Sequence, residues 1–581
     1  MEKQEKKTKV VIVGAGIGGV ATAARLAHAG FDVEVYEKND FSGGRCSLIH
    51  HDGYRFDQGP SLLLLPSLFR DIYTDLSTSL PSHLDLIKCE PNYVIHYHDG
   101  ESITLSTDRA KLRAEVERFE GPKGGKGLEG FLSEAETHAQ LSHELVLSKT
   151  FNSYVSLLRP SFLVNAIALH PLESIWSRTS RYFKTERMRR AFTFSSMYLG
   201  MSPFEAPGTY SLLQWTETVE GIWYPRGGFH KVVESLQSIA ESHGAKFHFS
   251  KPISHVATDP TGQRANGIYL ASPDNEKTRS KTKIPADIVI VNADLAYAHN
   301  NLFLKDGQSE DRKKGELKEP RLAKSLRGKK HSCSSISFYW AMDRVLEKLK
   351  AHNIFLAEEY EESFDDIFKK SDMPREPSFY VNVPSRIDPS AAPEGKDAIV
   401  VLVPIGSLLV EEHRTEEDWT GLVAKAKKQV IEVMEGRLGI KGMADMIVWE
   451  EVNTPVSWRD KFNLTHGSIL GISHDFFNVL SFRHQARHPS VQNAYFVGAS
   501  AHPGTGVPIA LAGSKLCLET VCQDLGVPLP ASYNVKGYKA NSWLDIREGN
   551  RLWYVLEAWT STILLLLVGI ILGVSLVYGR L

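Results

Sequence analysis

The run GAGIGG at residues 14–19 directly follows the apolar stretch VVIV at residues 10–13. An alanine-rich segment comes next, at residues 20–29, and a second apolar stretch, FDVEVYE, ends at Glu37. This order predicts a buried parallel strand, a tight glycine turn, a helix and a second strand. Such a turn brings the N-terminus of the helix, with its free N–H groups and partial positive charge, against a pyrophosphate. The sequence therefore predicts a dinucleotide site built from its first residues.

Five residues of this segment are predicted to hold the adenosine diphosphate half of a cofactor. They are Gly14, Gly16, Gly18, Gly19 and Glu37. The glycines let the backbone turn tightly and approach the phosphates, and the carboxylate accepts a hydrogen bond from a ribose hydroxyl. NAD and FAD share this half, so these residues alone leave both cofactors open.

A second glycine-rich segment follows a few residues later, FSGGRCSLIHHDGYRFDQGPSLLLLP at residues 41–66. Gly44 lets the backbone pass close to a flat or phosphorylated group, and Arg45 supplies a fixed cation with a planar face. Gly59 turns the chain after a short predicted strand. We predict that Gly44, Arg45 and Gly59 extend the cofactor site.

Near the other end of the chain, VGASAHPGTGVPIALAGSKL at residues 497–516 contains a loop rich in glycine and proline. The loop is predicted to end at a helix N-terminus close to Val507 and Pro508, with Gly498 and Gly506 shaping the turn. Placed against the pyrimidine end of an isoalloxazine, that terminus would stabilise the negative charge of a reduced flavin. This loop and the preceding GGR segment favour FAD over NAD.

The amino-acid composition excludes some classes of binding partner. Lys and Arg number 67 and Asp and Glu 69 among 581 residues, a net charge of −2, so no overall positive field favours nucleic acid. The five cysteines are scattered and odd in number, which argues against a disulfide framework, and none has zinc spacing. We therefore expect no bound metal.

Strand-like and helix-like runs alternate through the chain, which indicates an α/β class. We predict a Rossmann-type FAD-binding domain interleaved with an α+β substrate domain, plus a C-terminal transmembrane helix. The FAD domain is assigned to residues 9–80, 221–300 and 475–526, and the substrate and membrane-facing domain to residues 81–220 and 301–474. A linker at residues 527–556 and a transmembrane tail at residues 557–581 complete the prediction.

The tail prediction depends on the 19 uncharged residues TSTILLLLVGIILGVSLVY at positions 560–578. As a helix they measure about 28 Å, close to the thickness of one bilayer core. Trp559 precedes the run and Tyr578 closes it, as an aromatic belt would, and Arg547 and Arg551 lie on the side of the protein body. We expect a single-pass C-terminal anchor with the body facing the cytosol, in the endoplasmic reticulum.

The chain resembles the flavin-dependent carotenoid desaturases of the phytoene desaturase type, within the wider amine-oxidase-like flavoproteins. The resemblance is carried by residues 497–516 and by WYPRGGFHKVVESL at residues 223–236, and it covers residues 9–526. It implies FAD as the cofactor, with a backbone contact from Val256 to the adenine. Length and tail are similar to the fungal members.

The resemblance implies phytoene and other lipid-soluble polyenes as substrates, desaturated by hydride transfer to bound FAD. The implied sequence runs from 15-cis-phytoene through phytofluene, zeta-carotene and neurosporene to lycopene. Five-step desaturation to 3,4-didehydrolycopene, a related carotenoid isomerase or saturase, and a non-catalytic prenyl-binding escort remain alternatives. Quinone or oxygen is the expected electron acceptor, membrane lipid a partner, and a homo-oligomer is compatible with the sequence.

No local pair of residues identifies a catalytic base. By residue type the candidates are Glu205, His230, Asp343, Asp460 and His502. We predict His502, because it lies inside the late glycine loop. The apolar segments 62–65 and 154–172 are expected to line a tunnel mouth or to contact a membrane interface.

Overall fold

The first strand, β1 (Lys9–Val13), lies at the centre of a five-stranded parallel sheet. The structure is a computed structural model, which describes residues 7–272, 275–303, 320–408 and 414–534. Val10, Val11 and Ile12 are completely buried. Because a parallel sheet is covered on both faces, its strands are continuous apolar runs rather than alternating ones.

The strands are β1 (Lys9–Val13), β2 (Asp32–Tyr36), β3 (Leu48–His51), β4 (Tyr54–Asp57), β5 (Leu86–Cys89), β6 (Tyr93–His96), β7 (Ser102–Leu105), β8 (Ile222–Pro225), β9 (Lys246–His248), β10 (Ile253–Thr258), β11 (Ala265–Ser272), β12 (Asn275–Pro285), β13 (Ile288–Val291), β14 (Ser334–Met342), β15 (His352–Phe355), β16 (Phe379–Asn382), β17 (Ala398–Ile405), β18 (Ile447–Asn453) and β19 (Ala494–Phe496). The α-helices are α1 (Ile17–His28), α2 (Pro66–Asp75), α3 (Arg109–Glu120), α4 (Gly124–Ser142), α5 (Pro160–Ala166), α6 (Ile175–Thr179), α7 (Glu186–Ala191), α8 (Leu212–Trp215), α9 (Lys231–Ser242), α10 (Leu295–Tyr297), α11 (Arg321–Arg327), α12 (Tyr360–Phe368), α13 (Glu416–Leu438), α14 (Pro455–Phe462) and α15 (Val507–Leu525).

The central sheet has the strand order β19-β13-β1-β2-β9, with every pair parallel. Val10 and Ile12 face a core that includes α1, α9 and α15. Val11 and Val13 face the opposite way, towards the three-stranded sheet β10-β11-β12 and helix α10. The carboxyl ends of β1, β2, β13 and β19 therefore meet along one edge, where parallel α/β sheets bind ligands.

A second sheet has the order β18-β14-β17-β16-β15-β6-β7, antiparallel except for the pair β15 and β6. Strand β14 is buried along its whole length. Its residues alternate: Ile336, Phe338 and Trp340 pack in a core shared with α13, whereas Ser335 and Ser337 line a large cavity. This sheet therefore forms one wall of that cavity.

The two sheets draw on alternating stretches of the chain. The parallel sheet uses strands from residues 9–36, 246–248, 288–291 and 494–496, and the mixed sheet uses strands from residues 93–105 and 334–453. This is the mixed α/β content of the predicted fold class. The predicted domain boundaries stay predictions.

No helix within the described ranges combines the length and apolar composition that crossing a bilayer requires. The predicted tail at residues 557–581 and the predicted linker beyond Asn534 lie outside the described residues.

One buried ion pair joins the first helix to two distant segments. Arg25 on α1 donates to Asp75 at the end of α2 over 2.6 Å, and it also donates to Ser514 on α15 at 2.9 Å and to Tyr533 at 3.0 Å. The two charged side chains are 2% and 7% exposed. Lys515 is a second cation on Asp75, at 3.0 Å. Burial opposes the charged form of Arg25, but Tyr533 and Asp75 outweigh it and raise the pKa, so the guanidinium stays charged.

We expect Arg25→Ala to lower the free energy of unfolding by about 3 kcal/mol, because it leaves a buried carboxylate with only one of its two cations. Chemical denaturation of the purified protein measures the change. Arg113→Ala serves as the control, since the Arg113–Glu117 pair is surface-exposed and its loss should leave the free energy of unfolding unchanged. Equal stability of Arg25→Ala and the wild type would show that this ion pair contributes nothing.

Candidate functional site: a glycine-lined cleft continuous with an apolar cavity

The glycine turn after β1 packs against Asn292, the residue that follows β13. Gly14 has φ +97°, and a Cβ there would lie 2.5 Å from the carbonyl oxygen of Asn292. At Gly18 a Cβ would lie 2.9 Å from the Cα of Gly498, in the loop after β19. The Asn292 amide donates to the Gly14 carbonyl at 3.2 Å. The ends of three strands therefore meet at a place with no room for side chains.

Gly14, Gly16 and Gly18 line the cavity, as a phosphate-binding turn requires. Gly19, which was also predicted to hold the cofactor, does not line it. A Cβ at Gly19 would clash with the Gly14 carbonyl oxygen, so this glycine allows the helix to pack tightly on the turn.

Glu37 follows β2, lines the cavity and is 7% exposed. Its Oε2 accepts from the Ala15 N–H at 2.7 Å, and its Oε1 accepts from the backbone and side-chain N–H groups of Asn39 at 2.9 and 3.0 Å. These bonds fix the carboxylate next to the glycine turn. A carboxylate has about four acceptor positions, so it retains capacity for a ribose hydroxyl.

The GGR segment is tied directly to the first turn. Gly43 donates its N–H to the Ala15 carbonyl at 2.8 Å, and Gly43 and Gly44 have φ +93° and +57°. Arg45 lines the cavity and donates to the carbonyl of Ile469. Burial lowers the pKa of Arg45, although nearby Asp294 opposes the shift. The guanidinium is therefore a fixed donor group in the cleft wall.

Gly59 also lines the cavity, and a Cβ there would clash with the backbone carbonyl of Arg45. The glycine lets the strand β4 and its following turn press against the GGR segment. Gly59 therefore contributes to the cleft by allowing this close backbone contact, which a side chain would prevent.

The late glycine loop ends where α15 begins. Gly498 and Gly506 have φ +98° and +102°, and Val507 and Pro508 are the first residues of the helix. All four line the cavity. The free N–H groups of α15 therefore start at the cavity wall, where a helix N-terminus favours a negatively charged group.

Sequence reasoning missed His474, which supports this loop. The Thr505 N–H donates to its Nε2 at 3.1 Å, and Gly504 is a glycine because a Cβ there would clash with the same nitrogen. Burial keeps the pKa of His474 well below its usual value, so the ring is neutral. Asn292 was missed as well, although its place directly after the apolar run IVIV is a sequence signal.

Strand β10 contains Val256, the residue whose backbone is predicted to contact the adenine. Val256 is 2% exposed and belongs to the core beneath the three-stranded sheet, and it does not line the cavity. Ile253, Ser254 and His255, earlier in β10, do line it. Strand β10 therefore reaches the cavity wall at residues 253–255. The backbone contact predicted for Val256 stays a prediction.

The predicted base His502 does not line the cavity. It is 5% exposed, its Nε2 faces the carbonyl of Lys149 at 2.8 Å, and its ring packs edge-on against Phe151. Burial lowers its pKa to about 4. The ring of His502 therefore contacts the backbone and does not face the cavity in which a substrate would bind. This geometry does not support His502 as the base.

The other four candidate bases are absent from the cavity wall too. Glu205 pairs with Lys330, Asp343 with Arg344 and Asp460 with Arg459. His230 faces the Cys46 carbonyl at 2.8 Å. None of the five therefore reaches a ligand in the cavity.

A cluster of metal-ligand types occurs within the described residues at Glu134, His138 and His170, whose ligand atoms lie within 4.8 Å of one another. Arg178 already pairs with both oxygens of Glu134, and Tyr182 donates to the same carboxylate. The carboxylate is thus neutralised by a guanidinium, which explains the cluster without a metal.

The cavity has a volume of about 1770 Å³. Typical small-molecule sites measure roughly 300–1,000 Å³, so one continuous space here is large enough for two ligands. The glycine turn, Glu37 and Asn39 form one part of its wall. Another part is formed by apolar side chains, which include Leu64, Leu157, Phe162, Leu163, Ile167, Leu169, Phe194, Met197, Leu212 and Leu213. The cavity therefore joins a dinucleotide cleft to an apolar chamber.

Residues 17–515 match the family of flavin containing amine oxidoreductases. The structure is similar to a solved variant of putrescine oxidase, with a TM-score of 0.56, 14% identity, and coverage of 90% of this chain and 99% of that one. Together with the glycine cradle and Glu37, this defines a flavoprotein oxidoreductase of the amine-oxidase fold, with FAD as its cofactor.

Curated relatives specify the group more closely. The phytoene desaturase of Fusarium fujikuroi is 52% identical over 536 residues, covering 90% of both chains. That of Neurospora crassa is 50% identical over 90% of this chain and 86% of its own. A zeta-carotene-forming phytoene desaturase of Myxococcus xanthus is 35% identical over 89% of this chain and 95% of its own. The chain belongs to the phytoene desaturase family.

We expect Gly18→Val to lose flavin, because the new side chain would meet the Cα of Gly498 and the Asn292 amide at 2.9 Å. The bound flavin per protein chain should fall about tenfold or more, equivalent to roughly 1.4 kcal/mol of binding. Flavin absorbance after purification measures it. Gly421→Ala is the control, since a Cβ there meets nothing within 4 Å. Full flavin content in Gly18→Val would contradict the assignment of this turn.

Proposed function

We propose that this chain desaturates phytoene stepwise to lycopene, through phytofluene, zeta-carotene and neurosporene, with bound FAD as the hydride acceptor. The observation that carries the proposal is the continuity of the cofactor cleft with an apolar chamber in one cavity of about 1770 Å³. A polyene is long and wholly apolar, so it needs such a chamber next to the reactive end of the flavin. The relatives named phytoene desaturase support the same substrate class.

The residues of the cleft account for cofactor binding and for charge stabilisation. Glu37 would bind the ribose, and the turn at Gly14 would bind the pyrophosphate. The helix N-terminus at Val507 would face the negative charge that develops on hydride uptake. When bound, FAD supplies a two-electron acceptor for a carbon–hydrogen bond of the substrate.

The substrate must enter from lipid, and the cavity mouth is apolar on its outer surface. We define the mouth patch as Tyr154, Val155, Leu158, Ile167, Leu172 and Phe477, which are 48–80% exposed. Leu158, Ile167 and Leu172 also line the cavity, so the patch and the chamber are continuous. An apolar surface of this kind supports contact of the mouth with a membrane. The proposed tail anchor at residues 557–581 would hold the body on the cytosolic side of the endoplasmic reticulum.

Related reactions remain distinguishable from this proposal by their products. Five-step desaturation would yield 3,4-didehydrolycopene. The length of the chamber would limit how far the polyene can move past the flavin, and therefore how many double bonds are introduced. The escort alternative is not favoured, because the chain belongs to a family of flavin oxidoreductases. We propose quinone or oxygen as the final electron acceptor.

Expression in cells that accumulate phytoene tests the proposal. We expect coloured carotenoids, with lycopene as the main product, and loss of colour in Gly18→Val. Chromatography of the extracted pigments counts the double bonds introduced. Unchanged phytoene beside a protein that carries its full flavin would refute the substrate assignment.

Negative charge in the mouth patch should weaken contact between the enzyme and the membrane in which its substrate is dissolved. In a Leu158→Glu, Ile167→Glu double variant we expect phytoene conversion on liposomes to fall at least tenfold, since burying even one such apolar side chain is worth roughly 1.5–3 kcal/mol. Flavin content should not change. Val448→Glu, at an equally exposed apolar residue on β18, is the matched control. If both variants lose the same activity, the mouth patch has no special relation to lipid.

A further inference from the structure

A buried carboxyl group lies behind one wall of the apolar chamber. Glu217 belongs to the π-helical turn Thr216–Glu220, directly after α8, and has no exposed surface. Its Oε2 accepts a hydrogen bond from the Tyr93 hydroxyl at 2.6 Å. Within the described residues its Oε1 has no hydrogen-bond partner, and no cation forms an ion pair with the group.

A second phenol connects this acid to the chamber. Tyr198 lines the cavity, and its hydroxyl lies beside that of Tyr93, close enough that each phenol affects the ionisation of the other. The Tyr198 hydroxyl makes no hydrogen bond of standard geometry in the described part of the chain. The order from the chamber inwards is therefore Tyr198, Tyr93, Glu217.

A purely structural role does not explain this arrangement. A buried carboxyl group without a cation destabilises the fold unless all its polar atoms are satisfied. Here three neighbouring polar atoms lack partners among the described residues: the Tyr198 hydroxyl, the Gln214 Oε1 and the Glu217 Oε1. Gln214 itself belongs to the group, since its Nε2 approaches the Tyr93 hydroxyl at 3.4 Å. Unpaired buried polar atoms are rare in cores, and their clustering beside a ligand cavity points to a functional proton path.

We propose that Tyr198, Tyr93 and Glu217 form a proton relay that receives the proton released in each desaturation. This inference rests on the proposed function. Hydride leaves one carbon with the electron pair of its C–H bond and reduces the flavin. The neighbouring carbon then gives a proton to the Tyr198 oxygen, and the electrons of that second C–H bond form the new double bond. Tyr198 passes its own proton to Tyr93, and Tyr93 passes its own to the Glu217 carboxylate. The same path in reverse returns the proton to the cavity before the next desaturation.

The protonation behaviour of Glu217 suits this role. Burial raises its pKa to about 8, despite the opposing hydrogen bond from Tyr93. Ionisable groups facing it are the phenols of Tyr93 and Tyr198, with Tyr380 nearby, and burial raises the pKa of each. A carboxylate with such a pKa is a stronger base than a solvated one, and its ionised fraction grows as the pH rises towards 8.

A neighbouring pair is the competing candidate. Tyr380 also lines the cavity, and its hydroxyl lies 2.7 Å from Nδ1 of His352 and 2.9 Å from the Ser61 hydroxyl. Burial lowers the pKa of His352 to about 3, so this imidazole is a far weaker base than the carboxylate of Glu217. The two paths are separable by mutation.

The test uses the flavin-loaded enzyme on phytoene liposomes, with turnover measured as a function of pH. In the wild type we expect turnover to rise with pH through an apparent pKa near 8. Glu217→Gln should keep its flavin and fold, because glutamine resembles the neutral carboxyl group that predominates at pH 7. It should lose the pH-dependent rise and turn over at least tenfold more slowly.

Tyr198→Phe removes only the hydroxyl and keeps the ring, so it tests the relay even if Glu217→Gln fails to fold. We expect the same loss of the pH-dependent rise, with the apparent KM for phytoene within twofold of the wild type. Tyr97→Phe is the matched control: this buried phenol donates to the Arg187 carbonyl and lies away from the cavity wall. Its pH profile should match that of the wild type.

The outcomes separate this inference from the function on which it rests. If the wild type converts no phytoene, the proposed function fails before any variant is compared. If the wild type is active and Tyr198→Phe keeps its rate and pH profile, the relay is wrong. Loss of the rise in Tyr380→Phe, with the rise retained in Tyr198→Phe, would overturn the relay in favour of the His352 path.

Discussion

The structure depends on a contact between backbones that leaves no space for side chains. Gly14 and Gly18 come from the turn after β1, and Gly498 comes from the loop after β19, almost five hundred residues later. Asn292, after β13, lies between them and donates to the Gly14 carbonyl. Because these elements touch at their glycines, the first and last parts of the chain close around one cleft.

That contact explains why the cofactor site is discontinuous and yet rigid. Glu37 is fixed by the Ala15 N–H and by Asn39, and the GGR segment is fixed by its own bond to Ala15. His474 supports the late loop from the opposite side. A site prearranged in this way loses little of its binding energy to ordering when the ligand enters.

Apolar side chains such as Phe162, Phe194 and Leu213 form much of the chamber wall. Strand β14 adds two small polar side chains, Ser335 and Ser337, while its large side chains face the opposite core. In such surroundings a carboxyl group such as Glu217 is held largely neutral by desolvation. Polar chemistry in the chamber therefore depends on a few buried groups rather than on solvent.

Local patterns predicted much of the cofactor cleft. Glycines that follow an apolar run, an acid at the end of the next run, and a proline-containing helix start are all properties of neighbouring residues. The residues predicted from them line the cavity, except Gly19, which serves packing between the turn and the helix. The backbone contact from Val256 to the adenine was implied by the family resemblance alone, and it stays a prediction.

Catalytic groups were less predictable, since their chemistry depends on burial. His502 lies in the most specific sequence segment, yet its ring faces a backbone carbonyl away from the cavity. Glu217 has no distinguishing local pattern in WTETVEG. It becomes notable only when Tyr93 and Tyr198, both distant in sequence, approach it.

The sequence by itself determined the fold class, the flavin and the residues of the first turn, because steric freedom at glycine and hydrophobic periodicity act over a few residues. Only the tertiary structure decided which side chains share the cavity, how large it is and which acid is desolvated. Those properties arise where segments hundreds of residues apart exclude water together, and no local stretch of sequence encodes them.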